Sequence, residues 1–245
     1  MRIRIFPTPR GAARALAADL ARALRAAPGL VLGLPSGRTP IPLYDELAAL
    51  CRAGRIDFSR AASFNLDEFL GIGPAHRSSY HAFMRRHLFA AVNLPRRRIH
   101  VLNGAVRDPA AECARYERAI ARAGGIDLQL LGIGANGHIG FNEPGTALVA
   151  RTHVARLTPA TRRANAALFG GRAANVPRRA LSMGMATILQ ARRIVLLATG
   201  RGKARAVARA IHGPITPRVP ASFLQLHANV DVWLDRDAAS LLEVQ

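Results

Sequence analysis

Asn136, His138 and Glu143 stand close together in GANGHIGFNEPG, the run from Gly134 to Gly145. The imidazole is the one group in this run that titrates near neutral pH, and a neighbouring carboxylate fixes its tautomer and tunes its basicity. Glycines permit backbone torsions that other residues avoid, so such a loop can aim a His and a Glu at one point. A lone His in a loop is usually structural. One flanked by Asn and Glu in a tight loop directly after a buried strand is more often functional.

Three more segments carry candidate chemistry. NLDEF places Asp67 and Glu68 just past a strand. Adjacent carboxylates point in different directions, so at most one of them faces a pocket, and Asp67 is the candidate base. PSGRTP, Pro35 to Pro40, offers the backbone N–H groups and hydroxyls of Ser36, Gly37, Arg38 and Thr39 at a helix start, where an anion is stabilised. It lacks the spacing of a nucleotide-binding P-loop. TGRGK ends in Lys203, the single lysine of the chain among 35 cationic residues. An ammonium is a compact point charge where a guanidinium is a wide fork, so a lone Lys in an Arg-rich background points to a need for Lys. Each of these segments, taken alone, is also what an ordinary capped turn, acidic turn or surface lysine looks like.

Their placement on the elements raises their weight. Arg2–Phe6, Gly29–Leu34, Arg60–Asn65, Arg98–Leu102, Ile126–Ile133, Arg192–Ala198 and Val230–Leu234 read as strands. Helical spacing covers Ala12–Ala26, a helix capped by Thr39 and running to about Leu50, Ser79–Ala91 and Asp108–Ala123. Continuously apolar strands alternating with helices imply an α/β fold: one doubly wound, mostly parallel sheet with helices on both faces. Ligands bind beyond the carboxyl ends of such strands. All four polar segments sit at such ends and are expected to converge.

Composition narrows the function classes. The chain has 245 residues, half of them hydrophobic, enough for one large domain with a substantial core. The net charge is +20. The arginines form no single stripe and no aromatic residues interleave with them, so nucleic acid is not the expected partner; a basic surface still attracts a phosphorylated anion. Cys51 and Cys113 fit no metal or redox spacing and suggest a reducing compartment. No run approaches the roughly 20 apolar residues that span a bilayer. A cytoplasmic enzyme without membrane partner, metal or cofactor is the expectation, and its oligomeric state, monomer or homo-oligomer, is left open.

The sequence resembles the glucosamine-6-phosphate deaminase family, also called glucosamine-6-phosphate isomerase. The likeness is carried by LGLPSGRTPIPLYDEL, SFNLDEFLGI, SSYHAFM, GHIGFNEP, ARTHV, LTPATRRAN, VPRRALSMGMATIL and TGRGKARAV, nearly the whole chain. GHIGFNEP is highly specific; the related 6-phosphogluconolactonases share the fold but carry a GHTAS-type continuation. The resemblance implies a single domain over residues 1–245, a mobile lid around 153–182, and conversion of glucosamine 6-phosphate and water to fructose 6-phosphate and ammonia. It implies ring opening by His138 with Glu143 and Asn136, proton transfer between C2 and C1 by Asp67, and a phosphate resting on Ser36–Thr39 and Lys203.

The chain departs from the family in places. Some members have Asp where Asn136 stands, others Asn. The family Arg that grips the phosphate after LTPATRRAN is Ala167 here, leaving Arg162, Arg163 and Arg38 as candidates to replace it. The chain ends soon after Val230–Leu234, where larger allosteric members carry a longer tail, so regulation by N-acetylglucosamine 6-phosphate is not expected. A galactosamine-6-phosphate deaminase/isomerase branch shares the NGH loop and PASFL, Pro220 to Leu224. A sugar-lactone hydrolase on the same scaffold would use His138 without needing Asp67. A sugar-phosphate-binding regulator or nucleic-acid-associated protein would have lost catalytic groups, and Asp67, His138 and Glu143 are all present.

Overall fold

Strands that are apolar at every position need cover on both faces, and the computed structural model, which describes residues 1–242, supplies it. Seven strands form one parallel sheet: β1 (Arg2–Phe6), β2 (Val31–Leu34), β3 (Ala62–Asn65), β5 (Ile99–His100), β6 (Leu128–Leu131), β9 (Arg193–Ala198) and β10 (Val230–Asp235), in the order β1-β10-β9-β6-β2-β3-β5. Alternation within a strand divides the core. In β9, Val195 and Leu197 face α1 (Pro9–Ala26) and α2 (Ile41–Arg52), whereas Ile194 and Leu196 face α4 (Pro109–Arg122), α6 (Met185–Leu189) and α7 (Ala204–Ile211). The doubly wound sheet is therefore as expected.

Capping explains where the two longest helices start. Thr8 Oγ1 accepts from Gly11 N at 3.0 Å ahead of α1, and Asp108 accepts from Ala110 N and Ala111 N, both at 3.0 Å, ahead of α4. Thr39 does not cap α2 as the sequence suggested. The helix begins one residue later, behind Pro40, with no side-chain cap. Proline fits a first turn without needing a donor. The backbone N–H groups of residues 36–39 consequently donate to no protein acceptor among the described residues. The Ser79–Ala91 helix is capped by Ser79, runs as α3 (Tyr80–Met84) and then widens into a π-helical turn, Arg85–Phe89.

A second sheet was not foreseen. β4 (Asp67–Phe69), β7 (His153–Arg156) and β8 (Arg179–Ser182) make a three-stranded antiparallel sheet in the order β4-β8-β7. NLDEF is thus not a solvated turn: it runs straight from β3 into β4. In β8, Ala180, Leu181 and Ser182 are fully buried. Between β7 and β8 the chain passes through α5 (Pro159–Asn165) and two short 3-10 turns, much of it exposed.

The winding reverses between β2 and β6. From β2 the chain moves to β3 and the edge strand β5; from β6 it moves the other way, to β9 and β10. A crevice opens at such a reversal, outside the carboxyl ends of the strands. PSGRTP leaves β2 there and GANGHIGFNEPG leaves β6.

Candidate active site

Asp67 enters from β4, whose register sets it against Ser182 of β8. It is 7% exposed and its Oδ1 accepts from Ser36 Oγ at 3.3 Å, so the loop after β2 and the strand after β3 meet at this carboxylate. Burial pushes Asp67 up to about 7, the negative charge of Glu68 adds to the rise, and the Ser36 hydroxyl opposes it. A carboxyl poised there can give and take a proton at neutral pH. Ser36, expected to touch an anion, spends its hydroxyl on Asp67.

Glu68 turns the other way, as adjacent strand residues must. It is 1% exposed and accepts three backbone N–H bonds, from Phe69 at 2.8 Å, Tyr80 at 2.9 Å and His81 at 3.0 Å. Only Asp67 of the pair faces the crevice.

The loop after β6 is stitched to the same strands. Phe141 N donates to Ser182 Oγ at 3.0 Å, and Asn142 Nδ2 donates to the carbonyls of Ile139 and Met183, both at 2.9 Å. Ser182 therefore couples the His138 loop to the strand beside Asp67. Gly137 takes φ +92°, a left-handed torsion that suits glycine. Gly134 is needed for space: a Cβ there would run into the His138 imidazole, which lies against its backbone.

His138 Nδ1 lies 3.6 Å from Glu143 Oε2, a close electrostatic contact longer than a hydrogen bond. Asn136 Nδ2 donates to the same oxygen at 3.0 Å, and Asn136 Oδ1 accepts from His138 N at 3.3 Å. Thr158, at the start of α5, donates to Glu143 Oε1 through N at 3.2 Å and Oγ1 at 3.3 Å. Burial works to raise the Glu143 carboxyl, but His138, Thr161 and Asn136 outweigh it and hold it near 2. Glu143 is a permanent anion beside the imidazole, suited to orient it.

Lys203 closes the third side. It is half-buried at the start of α7 and donates from Nζ to the Ile133 carbonyl at 2.6 Å, tying the end of β9 to the end of β6. Burial lowers its pKa, and the nearby positive charge of Arg38 lowers it further. Two cations held within reach of one another, beside the free N–H groups of residues 36–39, make a place for a dianion. Arg38 itself is exposed, and Gly37 takes φ +98° to turn the loop.

The four segments thus meet at one crevice. Arg162, a candidate for the role the resemblance gives to an Arg at Ala167, turns to the segment's own backbone. Its guanidinium is committed to the carbonyls of Val176 at 3.1 Å, Ala173 at 2.8 Å and Ala174 at 3.2 Å. Arg163 is exposed on α5. Residue-type reasoning assigned no role to Tyr80, Ser182, Thr158 or Asn165. Tyr80 Oη donates to Asn165 Oδ1 at 3.4 Å, and Ser78 Oγ donates to the Leu168 carbonyl at 2.5 Å, so the excursion between β7 and β8 rests on the loop before α3. The Ser-Ser-Tyr run was the available signal, as a helix cap.

The family model for glucosamine-6-phosphate isomerases/6-phosphogluconolactonase matches residues 8–233. A glucosamine-6-phosphate deaminase of Rhodopirellula baltica is 49% identical over 241 residues, 98% of this chain and 96% of that one. One of Halothermothrix orenii is 51% identical over 215 residues, 88% of this chain and 89% of its own length. Among solved structures, a monomeric glucosamine-6-phosphate deaminase superposes with a TM-score of 0.95 at 41% identity, covering 98% of this chain and 100% of that chain. The 6-phosphogluconolactonase of Trypanosoma cruzi, at 21% identity and a TM-score of 0.77 over 99% of this chain and 97% of its own, shares the fold. With its site loops at the carboxyl ends of the strands and a match over almost its whole length, the chain belongs to the glucosamine-6-phosphate isomerase/6-phosphogluconolactonase family.

Proposed function

We propose that this protein is a glucosamine-6-phosphate deaminase, converting glucosamine 6-phosphate and water to fructose 6-phosphate and ammonia. Asp67 carries the reading. A buried carboxyl lifted to about 7, with a single hydroxyl partner, is a base for a carbon acid; hydrolysing a lactone calls for no such group.

In this reading the phosphate lies on the N–H groups of residues 36–39 and the charges of Arg38 and Lys203. His138, oriented by Glu143 and Asn136, transfers the proton that opens the ring. Asp67 removes the proton from C2 of the open aldose, leaving an enolamine, and returns it to C1. The resulting imine carbon at C2 takes up water. The C–N bond then breaks, ammonia leaves, and C2 becomes the carbonyl of the ketose. The proton that O1 takes up as the enolamine forms is given back when water adds to the protonated imine at C2, so protons balance over the sequence.

The segment between the two small-sheet strands is proposed as the lid. Its moving part is 158–178, narrower than 153–182, since β8 is buried against β4. Its base touches Glu143 through Thr158, and its far part rests on Ser78 and Tyr80. The enzyme is proposed to act as a monomer in the cytoplasm, in keeping with a monomeric relative and two free cysteines.

The deciding assay measures ammonia release from glucosamine 6-phosphate and from galactosamine 6-phosphate, with hydrolysis of 6-phosphogluconolactone run in parallel. Ammonia from the first substrate, in excess over the second, is the expected outcome. Lactone hydrolysis without ammonia release would overturn the reading.

A further inference from the structure

We propose that Glu68 is a positioning residue for the reaction: its buried carboxylate ties the first turn of α3 to β4 and sets a second carboxylate beside Asp67. This rests on the reading of Asp67 as the base.

The geometry divides two neighbouring acids into different tasks. Oε1 of Glu68 accepts from Phe69 N and Tyr80 N, and Oε2 from His81 N. Ser79 Oγ meanwhile accepts from Ala82 N at 3.0 Å. The first N–H groups of α3, which have no acceptor within the helix, are thereby satisfied by one carboxylate and one hydroxyl. Three N–H donors aimed at one carboxylate favour its charged form. Asp67 has one hydroxyl partner. The first proton that this buried pair takes up therefore goes to Asp67, although burial lifts both residues to about 7.

The surroundings of Asp67 support the same division. The Ser36 hydroxyl from the loop after β2 contacts it, and Tyr44 of α2, Tyr80 of α3, Tyr116 of α4 and Glu68 of its own strand are near enough to couple to its charge. Across the small sheet the register continues to Ser182 and His153. Behind Glu68, His81 faces Glu112, which Arg115 engages at 2.6 Å. The three tyrosines are held well above their usual range by burial and are neutral. The hydrogen bonds to the two carboxylates come from a hydroxyl and from backbone N–H groups, and no ion pair engages either among the described residues. Burial is the larger cause of the raised Asp67 carboxyl, and the Glu68 charge adds to it.

The same carboxylate has a mechanical reach. By fixing Tyr80 N it fixes the ring whose hydroxyl donates to Asn165 of the proposed lid. Loss of Glu68 should disturb the base and the resting place of the lid together.

The test is the pH profile of kcat/KM for wild type, Glu68→Gln and Glu68→Asp, with thermal melts to confirm folding. The wild-type acid limb should fall near pH 7. In Glu68→Gln, removal of a like charge should move that limb down by on the order of one pH unit and lower the plateau. Glu68→Asp keeps the charge and should hold the limb near its wild-type position while lowering kcat. A folded Glu68→Gln whose acid limb stays in place would overturn the proposal. A second measurement needs no variant of Glu68: carboxyl carbon NMR titration of the wild-type protein should show Asp67 protonating first as pH falls, and the reverse order would sink the idea. If Asp67→Asn retained turnover, the role of Asp67 would fall first. An inactive Asp67→Asn with an unmoved limb in Glu68→Gln would remove Glu68 alone.

Discussion

Asp67 on β4 and Glu143 in the loop after β6 are two carboxylates in one crevice, and burial acts on both in the same direction. Asp67 rises to about 7, while Glu143 is held near 2. Partners make the difference. Asp67 meets one hydroxyl and a second carboxylate. Glu143 meets an imidazole, an amide and the backbone and hydroxyl of Thr158. Neighbouring environments that push two acids apart assign one to proton transfer and the other to permanent charge.

The sharpest way to break this contrast is Asp67→Asn. Ammonia release should fall by about 10²–10⁴-fold, the usual cost of losing a positioned base. A variant with near wild-type turnover would show that Asp67 is not the base.

Glu143→Gln should slow turnover by about tenfold to a hundredfold, because the imidazole loses a charged partner. Stopped-flow measurement with an open-chain substrate analogue should restore much of the rate, since the loss lies in ring opening. An equal deficit on both substrates would move Glu143 out of that step.

Lys203→Ala should raise KM by on the order of tenfold to a hundredfold, the worth of a charge-assisted contact to phosphate. Lys203→Arg should recover only part of it, since a planar fork does not replace a point charge. Arg38→Ala, at an exposed position, should cost a few-fold. Steady-state kinetics on the three variants rank these contributions, and an unchanged KM in Lys203→Ala would place the phosphate elsewhere.

Stability separates the two acids by sign and by pH window. Asp67 has a folded pKa raised above its unfolded value of 3.8, so its contribution is fully present below that value and is lost as pH rises through 7. Asp67→Asn should therefore melt higher than wild type, by an amount that grows between about pH 4 and 7, at about 2–4 °C per kcal/mol for a chain of this size. Glu143 has a depressed folded pKa, so its contribution is present above the usual 4.5 and is lost as pH falls towards 2. Glu143→Gln should melt lower than wild type, and that gap should close in acid. Melting curves from pH 3 to 8 read both, and a common sign would dissolve the contrast.

Much was legible in the residues. Val195, Leu196 and Leu197 form a continuous apolar run because helices cover both faces of β9, and that pattern needs no knowledge of the partner strands. GHIGFNEP was legible as a candidate site because its glycines, imidazole and carboxylate lie within one short loop. Local chemistry of this kind depends on neighbours in sequence. The assignment of Asp67–Phe69 to a strand depends instead on hydrogen bonds to Ala180–Ser182, over a hundred positions away, and three residues carry no period of their own. The same distance hid Ser182 as the joint between the His138 loop and Asp67, and Arg162 as a brace for the segment it belongs to. Residue types showed that an Asp, a Glu and a His were available. Which acid is suited to act as a base follows from desolvation and the number of donors around each, and those exist only once distant strands have packed.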